Sequence, residues 1–375
     1  MSTFLISCGG TGGHLSPGIA LAEGLTARGH AVKLLISQKR VDARLIENYP
    51  QFEFVRVPGT GFSASPLRFV RFGVSQLRGL VLAERLVARV RPDGVVAFGG
   101  FTSAGVVLAA RLHGVPVALH EANRVPGLAI RVLSGLARRI YLPPGIRLGG
   151  LRAAATRHVG LPVRREIERR PVAEARAAFG FDPNRKLLVV FGGSQGATAL
   201  NDWARRELAA LAAEGVQVCC ITGLGKGRDE IVELAARRGE PVKAFFMMFC
   251  DRVADLLSAA DLVVSRAGAG TIAELMRCTT PAILVPFPQA ADDHQRANAA
   301  YFERQGGGIA IEQAVLPTLR AEVLDTIFND ALLRKFRGNL QRMDRANSLD
   351  FMLADLEEIV APRRGGTPHP QAAVA

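Results

Sequence analysis

Short apolar runs alternate with helix-length segments through the first half of the chain. TFLISC leads into a glycine-rich loop, PGIALAEGLTARG and HAVKLLIS, with further apolar runs at FEFVRV, GVVAF, PVALH and RRIYL. This alternation predicts βαβ units and a mostly parallel sheet covered on both faces. The pattern restarts at KLLVVF, followed by a second glycine-rich loop, a helix from about Ala197, and runs at VQVCCIT, VKAFFM, DLVVS and PAILV. The expected fold class is therefore α/β, with two Rossmann-like doubly wound domains facing a cleft. The expected division is 1–163, 164–345, a helix over 346–360 that packs back toward the first domain, and a disordered tail over 361–375. The hinge is expected within LPVRREIERRP, from Leu161 to Pro171.

Local signals refine individual elements. Pro17 is expected to open the first helix, and residues from about Ala321 to Glu358 read as helical. Ser65 and Pro66 mark another helix start, after which Val70, Val74, Leu77 and Val81 recur at i, i+4, i+7 and i+11. That spacing predicts one apolar helix face, assigned to the core.

The length of 375 residues exceeds what a single core organises and suits two domains. With 49% hydrophobic and 22% charged residues the chain is globular in composition. Cys8, Cys219, Cys220, Cys250 and Cys278 lie in or beside apolar runs without metal-ligand spacing, so they read as reduced, buried thiols. No leader pattern opens the chain, and no run reaches the ~20 apolar residues of a membrane span. A cytosolic setting is expected.

Charge changes the picture. Residues 1–165 carry 22 Lys and Arg against 7 Asp and Glu, whereas the remainder carries 25 against 27. The one-sided excess suits nucleic acid, anionic lipid or a phosphorylated ligand. No zinc, helix-turn-helix or aromatic RNA-binding signature accompanies it, so nucleic acid is not expected.

Three glycine loops follow predicted strands: Gly9-Gly10-Thr11-Gly12-Gly13-His14, Gly99-Gly100-Phe101-Thr102-Ser103, and Gly192-Gly193-Ser194-Gln195-Gly196-Ala197. Glycines let a backbone approach an anion that the N–H groups of a helix start can hold. One such loop is also compatible with a plain tight turn. Three of them at strand carboxyl ends would line the crevice where open α/β sheets bind ligands. A nicotinamide site expects an acid at the end of the second strand, where this chain has Ser37, Gln38, Lys39 and Arg40. An NADP variant using Arg40 stays open. The adjacent Asp292 and Asp293 read as a solvated helix start, so no metal or other cofactor is expected. Helix N-termini and arginine would then stabilise a leaving diphosphate.

GGTGGHLSPGIALAEGL, GGFTS, HEAN, GGSQGA, SRAGAGTIAE and HQRANA, in this order and spacing, resemble the MurG family. Its members are N-acetylglucosaminyl transferases that convert lipid I to lipid II in peptidoglycan synthesis. The resemblance spans roughly residues 3 to 345 and implies the GT-B fold, with UDP-N-acetylglucosamine bound mainly by the second domain. It places the ribose hydroxyls on Glu274 and the nucleotide and its phosphates on Ser194 and Arg164. Uracil falls at the backbone of Cys250, the diphosphate and sugar at Ala269, Gly270, Thr271, Ile272 and Ala273, and the sugar hydroxyls at Gln295. From the first domain, Thr11, Gly12, Gly13 and Asn123 would complete the donor site, and Gly10, Gly100, Thr102 and Ser103 would take the acceptor diphosphate. The acceptor hydroxyl needs a base. His14 is the first candidate, with orienting an acceptor phosphate as its alternative role, and Glu121 is the second; His120 reads as structural. One departure stands out: Leu161 occupies a position where the family usually has Asn.

The implied acceptor is an undecaprenyl-diphosphate-linked muramoyl peptide at the cytoplasmic face of the plasma membrane. Phe62, Leu67, Phe69 and Phe72 interleave with Arg68 and Arg71 at the start of the helix after Pro66, the composition of an interfacial anchor on an anionic membrane surface. Association with other cell-wall enzymes is implied by the family alone. Three alternatives remain: another GT-B lipid glycosyltransferase, a UDP-N-acetylglucosamine 2-epimerase, and a silent nucleotide-binding protein.

Overall fold

The computed structural model describes residues 1–9, 12–38, 43–58, 66–149, 155–193 and 196–361, without the side chains of 12, 43, 44 and 66–71. Two seven-stranded sheets follow each other along the chain. The first contains β1 (Thr3–Ser7), β2 (Ala31–Ile36), β3 (Glu53–Arg56), β4 (Gly94–Ala97), β5 (Val117–His120), β6 (Arg139–Leu142) and β7 (Thr156–His158). Its order is β3-β2-β1-β4-β5-β6-β7 and every pairing is parallel. The second contains β8 (Leu187–Phe191), β9 (Gln217–Ile221), β10 (Glu230–Ala235), β11 (Pro241–Met247), β12 (Leu262–Ser265), β13 (Ala282–Leu284) and β14 (Gly308–Ala310). Its order is β10-β11-β9-β8-β12-β13-β14, parallel except for the β10–β11 pair.

Around the first sheet lie α1 (Gly12–Ala27), α2 (Ala43–Glu47), α3 (Pro66–Val90), α4 (Ser103–Leu112) and α5 (Leu128–Leu133). Around the second lie α6 (Val172–Ala177), α7 (Thr198–Ala213), α8 (Val253–Ala259), α9 (Ala269–Cys278), α10 (His294–Arg304), α11 (Leu319–Ile327) and α12 (Asp330–Asp344). The last helix, α13 (Leu349–Val360), returns to the first domain, where Met352, Leu353, Leu356 and Ile359 join the core under β1. Asp355 fixes it electrostatically, accepting from Arg139 Nε at 2.7 Å, the Tyr141 hydroxyl at 2.8 Å and Arg157 Nε at 3.2 Å.

In each sheet the connection reverses direction beside the first strand, between β1 and β4 and between β8 and β12. Loops leaving those four strands flank a topological switch point, the usual ligand crevice of such sheets. The chain thus presents two crevices, one from each domain.

Several expectations need correction. Pro17 does not open α1; it lies inside a helix that starts at Gly12, where its missing N–H cannot serve the carbonyl of Gly13. The 321–358 stretch is three helices, because Asn329 and Ser348 cap new starts by accepting the N–H of Leu332 and of Phe351. The edge strand β10 lacks a polar–apolar alternation in its sequence, with Glu230 half-buried while Ile231 points to solvent. The apolar face of α3 is not core. Val74, Leu77 and Val81 are 46%, 63% and 43% exposed; the opposite side of the helix, with Ala83, Leu86 and Val87, makes the packing contact. The side chain of Val70 lies outside the described residues.

The five cysteines are buried and none is in a disulfide. Among the described residues, no helix is long and apolar enough to cross a membrane.

Candidate active site

The first two glycine loops lock onto each other. Thr102 donates its hydroxyl to the carbonyl of Gly9 at 3.1 Å, and a Cβ on Gly9 would lie 2.6 Å from the Ser37 nitrogen. Gly100 adopts φ +81° and offers its bare Cα to His14, whose Nδ1 a Cβ there would approach to 3.3 Å. His14 is thereby set in the first turn of α1, half-buried, at the mouth of the crevice. The hydroxyls of Thr102 and Ser103 do not face the cleft: both residues are buried, and Ser103 donates to the carbonyl of Gly99 at 2.6 Å. What this loop offers an anion is the backbone N–H groups of the first turn of α4.

Glu121 and His120 turn inward. One oxygen of Glu121 accepts from the Asn123 backbone at 2.8 Å and its amide at 3.2 Å, and the other from Gly127 N at 2.8 Å. Burial pushes this carboxyl up while those bonds oppose the shift. The group therefore organises the loop after β5. His120 is fully buried, and its Nε2 meets the Gly160 carbonyl at 3.1 Å. Burial lowers its pKa to about 4, so the ring is neutral at pH 7 and Nε2 is the donor.

In the second domain, α9 begins at Ala269 behind an extended Gly268, so its first-turn N–H groups open toward the cleft. Ile272 and Ala273 are buried, so their side chains anchor this helix and only its backbone and Thr271 remain for a ligand. One turn on, Glu274 is 14% exposed at the side chain and sits 3.6 Å from Arg164 Nη2. The same guanidinium pairs with Glu166 at 2.5 Å and reaches the Tyr49 hydroxyl of the first domain at 3.4 Å. Cys250 is buried in the core, so its side chain is not available to a ligand in the cleft. Gln295, half-buried at the start of α10, accepts the N–H of Phe287 at 2.9 Å through Oε1. In the third glycine loop, a Cβ at Gly192 would fall 2.2 Å from Ala197 N, and one at Gly196 would fall 2.1 Å from the Thr222 carbonyl. Gly10, Thr11, Ser194 and Phe62 lie outside the described residues, as do the side chains of Leu67, Arg68, Phe69 and Arg71.

The two crevices face each other, with His14, Glu121 and Asn123 on the first domain and Glu274 and Gln295 on the second. Residues 4–142 match the glycosyltransferase family 28 N-terminal domain and residues 187–350 its C-terminal domain. A protein of Opitutus terrae is 70% identical over 96% of this chain and 95% of its own length. The chain belongs to glycosyltransferase family 28. That relative is named UDP-N-acetylglucosamine--N-acetylmuramyl-(pentapeptide) pyrophosphoryl-undecaprenol N-acetylglucosamine transferase. A protein of Parasynechococcus marenigrum with the same name is 37% identical over 84% of each chain. The crystal structure of Acinetobacter baumannii MurG superposes with a TM-score of 0.72 at 23% identity, covering 96% of this chain and all of that one. The likeness places the chain in the GT-B fold.

Side chains outside the expected site complete this family 28 cleft. Asn298 on α10 is 3% exposed and bonds to both domains. Arg124 stacks 3.9 Å over the Tyr301 ring, and Arg131 pairs across the cleft at 3.1 Å with Asp292, which is solvent-exposed as expected. Arg266 donates to the carbonyls of Val285 and Pro286 and fixes the segment leading to Phe287. Asn298 had a local signal, because Gln295 and Asn298 share a helix face at i, i+3. Leu161 is buried and lines a cavity of about 60 Å³ with Ala273, Met276 and Asn298, so apolar packing occupies the position of the usual Asn. A larger groove, about 540 Å³, lies near Glu214 and Phe328 at the end of the second domain and contains none of these residues.

Proposed function

We propose that this chain transfers N-acetylglucosamine from UDP-N-acetylglucosamine to the muramoyl sugar of undecaprenyl-diphosphate-MurNAc-pentapeptide, forming the β1,4 linkage of lipid II with inversion at the anomeric carbon. The observation that carries this reading is the 70% identity, running through both domains, to the Opitutus terrae protein named as an N-acetylglucosamine transferase acting on N-acetylmuramyl-(pentapeptide) pyrophosphoryl-undecaprenol. The acceptor lies on the first domain, 1–163, and the donor mainly on the second, with Asn123 reaching the donor sugar from the first.

Glu274 accepts the two ribose hydroxyls, which one carboxylate can do. The first turn of α9, together with Arg164 and Ser194, receives the diphosphate, and Gln295 and Asn123 read the sugar. The acceptor diphosphate lies against the Gly10 and Gly100 loops and the N-terminus of α4. The acceptor hydroxyl oxygen attacks the anomeric carbon as its bond to the β-phosphate oxygen breaks. UDP departs with that electron pair, and the hydroxyl proton passes to His14. The occupied oxygens of Glu121 favour His14 as the base. Helix N-termini and Arg164 stabilise the leaving diphosphate without a metal ion.

The enzyme works as a peripheral protein on the cytoplasmic face of the plasma membrane, with the basic first domain toward anionic lipid. Support comes from exposed Val74, Leu77 and Val81 on α3 beside exposed Leu108 and Leu112 on α4, with Arg78, Arg85 and Arg111 around them. Each cation near an anionic surface contributes about 1 kcal/mol. Such a surface also suits association with other cell-wall enzymes.

UDP release from UDP-N-acetylglucosamine, with and without a lipid I analogue and in EDTA, tests the proposal. Acceptor-dependent release with a disaccharide product is expected. Donor epimerisation without acceptor, or tight UDP binding with no turnover under any metal condition, would overturn it.

A further inference from the structure

We infer that Asn298 is a positioning residue for the transfer, setting Asn123 across the cleft to meet the acetamido sugar. This rests on the function proposed above and extends it to a side chain that does not itself touch the donor.

The geometry fixes which atom of each amide faces which partner. Arg124 N–H meets the carboxamide of Asn298 at 2.9 Å, so that atom must be the oxygen and the other is Nδ2. Nδ2 then donates to Asn123 Oδ1 at 3.1 Å and to the Ala267 carbonyl at 3.1 Å. On the far side, Asn123 Nδ2 donates to the Glu121 carboxylate, which excludes the flipped amide there as well. A chain of fixed polarity therefore runs from Glu121 through Asn123 to Asn298 and ends on the loop that opens α9.

Asn298, on α10, spends both N–H groups and one lone pair on two other segments: the loop after β5 in the first domain and the loop that opens α9. Asn123 is left with one N–H and one lone pair. These are the complementary pair an acetamido group offers in reverse. Rotating Asn123 about its side-chain torsions would misalign both, and Asn298 is the contact that opposes that rotation from the second domain. Because the bond crosses between domains, Asn123 is aligned only when the cleft is closed.

The test is a double-mutant cycle with Asn298→Ala, Asn123→Ala and the double variant, reading kcat/KM for UDP-N-acetylglucosamine and the Kd of UDP alone. Each single variant is expected to lose tenfold or more in kcat/KM, mostly through KM, and the double variant less than threefold beyond the worse single. The UDP Kd of Asn298→Ala is expected to stay within threefold. Multiplicative losses, or a UDP affinity that falls as far as that for the sugar nucleotide, would overturn the inference. Asn298→Asp keeps the acceptor for Arg124 N–H and removes the donor to Asn123, so it replaces the alanine variant if that one does not fold. Wild-type protein without transfer activity would instead refute the function itself.

Discussion

Arg164 and Glu274 meet at 3.6 Å on the floor of the cleft, with only 8% and 14% of their side chains exposed. Burial pushes the Glu274 carboxyl up, and the arginine is the main influence holding it down. A carboxylate serves two ribose hydroxyls only when ionised. Arg164→Gln should therefore raise the pKa of Glu274 further and weaken donor binding as pH falls. The KM for UDP-N-acetylglucosamine is expected to exceed the wild-type value by at least tenfold at pH 6, with the gap narrowing by pH 8.5. A gap independent of pH would show that Arg164 acts on the phosphates alone.

The proposed base, His14, and the loop scaffold, Glu121, can be told apart by experiment. A positioned base typically contributes 10²–10⁴-fold, so His14→Ala should lower kcat by about that factor with donor affinity nearly unchanged. Glu121→Ala strips three hydrogen bonds from one loop and should lower the melting temperature. Rapid-quench turnover and thermal unfolding distinguish them; a His14→Ala variant with wild-type kcat would remove His14 from the chemistry.

On α3 and α4, replacing Val74, Leu77 and Leu112 together by Ser removes exposed apolar surface and should cost little stability. Flotation with anionic vesicles is expected to lose the protein, while activity on a water-soluble acceptor analogue persists. Undiminished flotation would exclude this face as the membrane contact.

Acid should act through His120. Its folded pKa of about 4 lies below the ordinary value of about 6.5, so the unfolded chain binds the extra proton first. The stabilisation is fully present above pH 6.5 and lost as pH falls toward 4. Between pH 7 and 5 this amounts to about 2 kcal/mol. Urea unfolding of His120→Gln, which keeps a donor for the Gly160 carbonyl, should show a pH dependence shallower by that amount. Equal slopes in variant and wild type would disprove it.

Strands and glycine loops were legible because their causes are local: unbroken apolar runs of four to six residues make buried strands, and glycine is needed where backbones approach closely, as at Gly9 and Gly196. The expectations for Glu274 and Arg164 come from the resemblance of whole motifs, whereas the loop position of His14 follows from the convergence of strand-end loops in a doubly wound sheet. Periodicity revealed an apolar face on α3 but could not say what covers it. Val74, Leu77 and Val81 have the spacing of a core face, and solvent exposes them because the helix packs through its opposite side. The role of Glu121 likewise depended on its loop folding back to surround it with N–H donors. Asn298 and Asn123 lie 175 residues apart, and no local pattern pairs them. Two parallel-sheet domains, their glycine loops and the family were readable from the order of residues alone. Which polar groups turn inward and which bridge the cleft came from the folded chain, because hydrogen bonds between distant segments exist only after the two domains have closed on each other.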